Sequence, residues 1–453
     1  MDSKNMWKLL LPLVGGILIV TFAWSGLGGP PQATAATAFT RADEVVVVRG
    51  ESLTQMLGFP LDELGVFVLN SGVWTPIPFQ VDEVNITGTF VIEEDGLLDE
   101  NDELVFVAGD MGEAAFPHEW IDNLGSWLYP RMRIEVTDPL NPGETGWVYV
   151  YRSTTLPQSN ASYVNWNPDS ETISADAYSV TFDQQNFLGI SDLTIGGSDD
   201  ILDRQKIRVT ATPLDPVTEE TLADLLAQVG LPNTLAIAAL GPVRAATGNL
   251  DAGIGFAFYG SRFDLDVTFP LSDTYITYSQ NGLTVTVLLQ FQSAFTSLDL
   301  LNPTDTGMAP ATYYDPNMPD GVAIDGVADS VPVSPWHDYS VVSGQLGTIV
   351  DVMDVDRGQG HIRNYYIDDS TPDDTDTGDG RSYGNAGIGI ERANFTTEIG
   401  LIRLSQRFYI LPGAQGNVGE EYVTKATTPL TVTTEGEVNP HANFIYLPAV
   451  ARP

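Results

Sequence analysis

The chain has 453 residues, 43% of them hydrophobic, which is enough for a large core and excludes a disordered acidic tail. Acidic residues outnumber basic ones by 60 to 20, a formal net charge of −40. Nucleic acid and anionic membrane surfaces are therefore excluded as partners, since both need neutralising cations. Cysteine is absent, which excludes disulfide support and thiol chemistry.

Lys4 and Lys8 precede an apolar run from Leu9 to Ala23, then glycine and proline, then the small-residue string from Ala33 to Ala38. A positive flank, an apolar core and an Ala-x-Ala end are the three parts of a secretory signal. Residues 1–38 read as a signal peptide cleaved after Ala35 or Ala38. The alternative is an N-terminal membrane anchor over residues 9–28, roughly the span of a bilayer. Either way the rest is expected to be extracytoplasmic, secreted or on the cell surface, meeting a membrane only through this segment if it stays uncleaved.

Residues 40–155 read as a β-sandwich-like domain. Stretches 45–48, 66–69, 77–81, 89–92, 104–108, 132–136 and 147–151 are rich in β-branched and aromatic residues, with glycine, proline, aspartate and asparagine between them. Residues 156–170 are polar and turn-rich and read as a linker. Residues 171–430 read as a large antiparallel β-sandwich domain, with strands at 207–211, 255–259, 263–269, 275–278, 283–291, 349–352 and 408–411. One short helix is expected there. Thr218 to Thr221 opens it with acids in the first turn, Leu222, Leu225, Leu226 and Val229 recur at helical spacing, and Gly230 and Pro232 stop it. Residues 431–453 read as a C-terminal tail. The expected fold class is therefore mainly β.

Three acidic loops could hold Ca²⁺, a hard cation that takes six to eight oxygens. The first offers Asp95, Asp99, Asn101, Asp102 and Glu103. The second offers Asp374, Asp376 and Asp379, and the third runs from Asp315 to Asp329. The first two depart from the EF-hand pattern, because Leu104 and Asp379 stand where its turn glycine belongs. The same Asp-Gly and Asp-Asn pairs are also ordinary turn formers. No organic cofactor is implied.

Catalytic signals are few. The four histidines, His118, His337, His361 and His441, make no zinc spacing. There is no Gly-x-Ser-x-Gly elbow and no phosphate loop. A glycosidase needs two carboxylates, but sixty acids do not nominate a pair. A lyase would need a Tyr or His base with an Arg or Ca²⁺, groups offered by Trp336-His337-Asp338-Tyr339 and by Arg381-Ser382-Tyr383-Gly384-Asn385. The scattered tryptophans, Trp120, Trp127, Trp147, Trp166 and Trp336, read as core before they read as a sugar platform.

The run Pro78-Phe79-Gln80-Val81-Asp82-Glu83-Val84, followed by Asp102-Glu103-Leu104-Val105-Phe106, resembles a pattern of uncharacterised exported β-rich proteins of bacteria and archaea. The runs Gly241-Pro242-Val243-Arg244 and Phe258-Tyr259-Gly260-Ser261-Arg262-Phe263-Asp264 are similar to parts of the same group. The resemblance implies export and β structure and brings no activity. The ending Tyr446-Leu447-Pro448 resembles short tails that close many exported bacterial proteins. Size, strand content and one helix resemble the β super-sandwich of polysaccharide lyases and sugar mutarotases, an analogy of fold that carries no mechanism.

These features lead to the expectation of an exported, non-enzymatic cell-surface or secreted protein, Ca²⁺-stabilised, with an envelope-structural or ligand-binding role toward polysaccharide or other envelope components. The alternative is an extracellular carbohydrate-active enzyme, a polysaccharide lyase or glycoside hydrolase.

Overall fold

The computed structural model describes residues 39–92, 95–183, 186–212, 236–248, 254–270, 274–280, 283–301, 306–327, 338–355, 362–368, 382–391 and 401–440. The expected helix at 218–229 and the acidic loop holding Asp374, Asp376 and Asp379 lie outside them, as do residues 1–38. No described helix is long and apolar enough to cross a membrane.

The protein is mainly β, built from several antiparallel sheets. The N-terminal part supplies β1 (Val45–Arg49), β2 (Leu64–Asn70), β3 (Val73–Pro76), β4 (Phe79–Asp82), β5 (Glu103–Val107), β6 (Arg131–Thr137) and β7 (Thr145–Arg152). The last described strand, β26 (Thr431–Glu437), joins them. One sheet has the order β1-β5-β4 and the other β26-β6-β7-β2-β3. They face each other across Val46, Val48, Leu104 and Phe106 on one side and Val66, Val68, Ile134 and Val150 on the other. The five-stranded sheet is covered on its outer face too, by Phe67, Leu69, Tyr149 and Tyr151 with Trp74 and Trp120. Burial on both faces is why β2 and β7 read as continuous apolar runs and not as alternating ones.

A single guanidinium fills the middle of that outer layer. Arg131 has no exposed surface and lies over Trp120 at 4.4 Å and over Tyr149 at 4.5 Å. It donates to Glu437 on β26 at 2.6 Å, to the Glu119 carbonyl at 2.6 Å and to the Tyr151 hydroxyl at 2.7 Å. Trp120 is thus committed to the core.

The larger part holds β8 (Val164–Asn167), β9 (Thr172–Ala175), β10 (Tyr178–Asp183) and β11 (Asn186–Ile195), a meander that begins inside the stretch expected to be a linker. A second sheet contains β12 (Leu202–Thr212), β18 (Leu283–Leu301), β24 (Ser382–Glu391) and β23 (Ile362–Asp368) in that order, with β17 (Thr274–Gln280) also on β18. Among the described residues the largest sheet has nine strands. It begins with β13 (Ile237–Leu240), β14 (Ala245–Thr247), β15 (Ile254–Phe258) and β16 (Arg262–Pro270). It continues through β25 (Leu401–Pro412), β22 (Gly347–Val355), β21 (Tyr339–Ser343), β19 (Ala311–Tyr313) and β20 (Val322–Ala323). Phe182, Phe256, Phe258, Phe263 and Phe408 form a run of stacked, tilted and edge-on neighbours at the centre of its core.

One strand expectation is replaced. Residues 89–92 form no strand; the loop returns through a lone bridge between Val84 and Phe90. The described α-helix, α1 (Gly419–Thr427), lies just before β26. It rests on β21 and β22 through Tyr422, Val423 and Ala426, and it approaches so closely that a side chain at Gly419 would enter the Tyr339 ring. A nine-residue helix with two threonines and a valine has a weak intrinsic signal, and packing supplies what propensity does not.

Candidate functional site

The two parts meet through residues of the runs Pro78–Val84, Asp102–Phe106 and Gly241–Arg244. Gln80 sits on β4, and its Oε1 accepts from the backbone N–H groups of Val243 at 2.9 Å and Arg244 at 2.8 Å. Its Nε2 donates to Asp82 at 2.7 Å and to the Arg244 carbonyl at 3.1 Å. Arg244 Nε donates to Asp82 at 2.9 Å and its Nη2 donates to Glu103 at 2.8 Å. The guanidinium also lies over the Phe90 ring at 4.6 Å. Gly241 is required beside it, because any Cβ there would strike the Gln80 amide. Burial pushes the Asp82 carboxyl above its usual range, against the pull of Arg244. This network ties the two parts together through side chains already committed to one another.

A cleft of about 570 Å³ lies beside the network. The N-terminal part contributes Ala42, Asp43, Val107, Gly109 and Asp110. The larger part contributes Tyr163, Asp176, Ala177, Ile195, Gly196, Gly260, Ser261, Leu346 and Pro412. Backbone hydrogen bonds hold Tyr163 and Asp176 in place. Tyr163 N–H donates to the Pro242 carbonyl at 2.7 Å, Asp176 N–H to the Tyr163 carbonyl at 3.1 Å, and Ala177 N–H to the Gly260 carbonyl at 2.9 Å. Gly109 N–H donates to the Ala42 carbonyl at 2.7 Å, too close for any other residue at that position.

The Tyr163 hydroxyl bridges the two parts, donating to Asp110 at 2.8 Å. The Ser261 hydroxyl does the same to Asp43 at 2.8 Å. Burial raises the carboxyl pKa of Asp110, opposed by the Tyr163 hydrogen bond, and burial also raises that of Asp176. Burial and then the Asp110 carboxylate push the Tyr163 phenol upward. Among the described residues that line the cleft there is no Lys, Arg or His. The site therefore offers acceptors and a phenol between apolar walls. Asp43, Asp110 and Asp176 were hidden among sixty acids; the one local signal was Gly260-Ser261, inside a run already singled out.

The first acidic loop is built differently. Asp102 is buried, and its carboxylate accepts the Val84 N–H at 3.0 Å and the Asp99 N–H at 2.7 Å. Burial, opposed by these bonds, raises its pKa. Glu103 faces Arg244, Asp95 accepts the Leu97 N–H at 2.9 Å, and the Asn101 amide donates to the Val84 carbonyl. No group of three or more His, Asp or Glu side chains able to hold a metal ion occurs among the described residues. In the third loop Asp315 and Asp325 cap their own turns.

Of the groups considered for a lyase, Trp336, His337 and Arg381 lie outside the described residues. Tyr339 is buried, its hydroxyl 3.5 Å from Asn417. His118 is exposed and stacked on Phe116.

No protein-family model matches the chain, and no curated protein matches it. Among solved structures it is similar to an α-mannosidase from Enterococcus faecalis, at 10% identity and a TM-score of 0.40, over 89% of this chain and 46% of that one. A protein of glycosyl hydrolase family 38 from Enterococcus faecalis gives 10% identity and a TM-score of 0.36, over 89% and 47%. A family GH92 α-mannosidase from Bacteroides thetaiotaomicron gives 12% identity and a TM-score of 0.23, over 56% and 31%. The chain spans about half the length of the first two, and at these TM-scores the likeness carries no argument.

Proposed function

We propose that this is an exported, non-enzymatic protein that binds a neutral carbohydrate in the cleft between its two parts. One observation carries the reading: Asp43, Asp110, Tyr163 and Asp176 converge in an apolar-walled cleft whose described lining has no cation. Sugars present hydroxyl donors to carboxylates and C–H faces to apolar walls. An anionic sugar would meet only like charge. Burial penalises the charged forms of Asp110 and Asp176 and raises both carboxyls above their usual range. The volume falls within the ordinary range of small-molecule sites, about 300–1,000 Å³, and suits a mono- or disaccharide.

Asp176→Asn is expected to weaken sugar binding at least about tenfold, read by titration calorimetry, without lowering the melting temperature. Both raised pKa values also set a pH dependence. The carboxylates accept hydroxyls best when ionised, so affinity falls as pH drops toward the ordinary 3.8 and rises as pH climbs through the raised values. Affinity that increases on acidification would contradict this.

Glycoside hydrolysis is the second reading. It is favoured by two carboxyl groups of raised proton affinity on one cleft, the raw material for an acid and a base. Release of the phenol from aryl glycosides by the wild type, abolished in both Asp110→Asn and Asp176→Asn, would select it over simple binding.

For calcium, the account expects no stabilisation from the loop at 95–103. A cation there would compete for Asp102 with two backbone amides and for Glu103 with Arg244. Calorimetric unfolding in EDTA, then in millimolar Ca²⁺ with Mg²⁺ and matched NaCl, tests this. A Ca²⁺-specific rise that Asp99→Asn removes would contradict it.

A further inference from the structure

Asn85-Ile86-Thr87 has the Asn-x-Thr pattern that accepts N-linked sugar, and neither the cleft nor the domain junction uses it. It forms a loop tip after β4. Asn85 N–H donates to the Thr89 carbonyl at 2.9 Å, and Gly88 N–H donates to the Asn85 carbonyl at 2.8 Å, which closes the turn. The Asn85 Oδ1 accepts three bonds: from Thr87 N–H at 2.9 Å, from the Thr87 hydroxyl at 2.7 Å and from Thr89 N–H at 3.1 Å. These fix the carboxamide in one orientation. Its Nδ2 makes no hydrogen bond to any described residue. Ile86 is 95% exposed, and Thr87 and Gly88 are exposed beside it, so the tip stands in solvent.

The chain holds its own comparison. Asn160-Ala161-Ser162 has the same pattern and is also exposed, but the Ser162 hydroxyl donates to the Val164 carbonyl at 2.8 Å. It is spent on the backbone at the start of β8 and is not available to Asn160. A third such sequence, at Asn394, lies outside the described residues.

We propose that Asn85 is an N-glycosylation site and that the folded protein takes sugar there and not at Asn160. Asn85 Nδ2 forms a bond to the anomeric carbon of a polyprenyl-diphosphate-linked oligosaccharide. The anomeric C–O bond breaks, the diphosphate leaves with the electron pair, and Nδ2 gives up one proton. Use of the site in the organism rests on the export proposed above; the acceptor chemistry rests on the loop alone.

The test is transfer to the folded, full-length protein carrying Asn394→Gln, with an oligosaccharyltransferase and a polyprenyl-diphosphate-linked oligosaccharide, read by intact mass and peptide sequencing. An unfolded acceptor peptide run in parallel confirms that the transferase is active. One glycan at Asn85, none at Asn160, retention in Thr87→Ser and loss in Thr87→Val support the site. No transfer to Asn85, or equal transfer to Asn160, overturns it. No cleft ligand enters the assay, so its failure is separate from failure of the sugar-binding reading.

Discussion

Arg131→Ala is expected to destabilise the N-terminal sandwich by about 3–5 kcal/mol, the usual cost of removing one partner of a buried charged network. Arg131 is wholly buried, and its loss takes a donor from the Glu119 carbonyl and the Tyr151 hydroxyl and leaves Glu437 with only the longer Arg133 pair. It also leaves Trp74, Trp120, Tyr149 and Tyr151 around an empty centre. Because Glu437 lies on β26, the damage reaches the last strand, and limited proteolysis should cut first near 431–437. Arg131→Lys should restore little, since an ammonium cannot fill a planar slot between rings while reaching three acceptors. An unfolding free energy from urea denaturation within about 1 kcal/mol of wild type would show that the cage is dispensable.

Arg244→Ala carries the second large effect, again about 3–5 kcal/mol, at the junction between the two parts. The change leaves Asp82 buried without its cation, held only by the Gln80 amide and with Glu103 facing it. The sign with pH is fixed. Burial has already raised Asp82 above its ordinary 3.8, and removing Arg244 raises it further. The folded variant then holds the proton to higher pH than the unfolded chain does. The deficit is therefore largest at neutral pH and shrinks as pH falls through the raised value. Asp82→Asn in the Arg244→Ala background should recover part of the loss at pH 7. A deficit that grows on acidification would mean that Arg244 acts through other contacts. Because Tyr163 and Ser261 bridge the same junction, the variant should also weaken cleft binding.

The sequence made the strands legible where burial was one-sided or continuous, as in β1, β5, β6 and β25. It could not show β8 and β9, whose four residues each are half polar and whose order comes from pairing with β10. Nor could it show that β26, Thr-rich and read as a tail, closes the first sheet against β6. Edge strands exposed on one side carry little apolar signal of their own. The resembling runs were visible as runs, but their meaning was spatial. Gln80, Asp82 and Glu103 share one sheet, but Arg244 is well over a hundred residues away in the chain and reaches them only across the junction. The cleft acids were illegible for a different reason: in a chain with a net charge of −40, one more aspartate is no signal until burial singles it out.

The central claim is that the cleft between the two parts is a sugar site. Hydrogen–deuterium exchange of the full-length protein, with and without saturating neutral mono- or disaccharide chosen from a binding panel, tests it most directly. The account predicts added protection at Gly109 and Asp110, Asp176 and Ala177, and Gly260 and Ser261, and none at the loop tip around Ile86. Absence of binding across the panel, or protection confined to segments away from these, would contradict it.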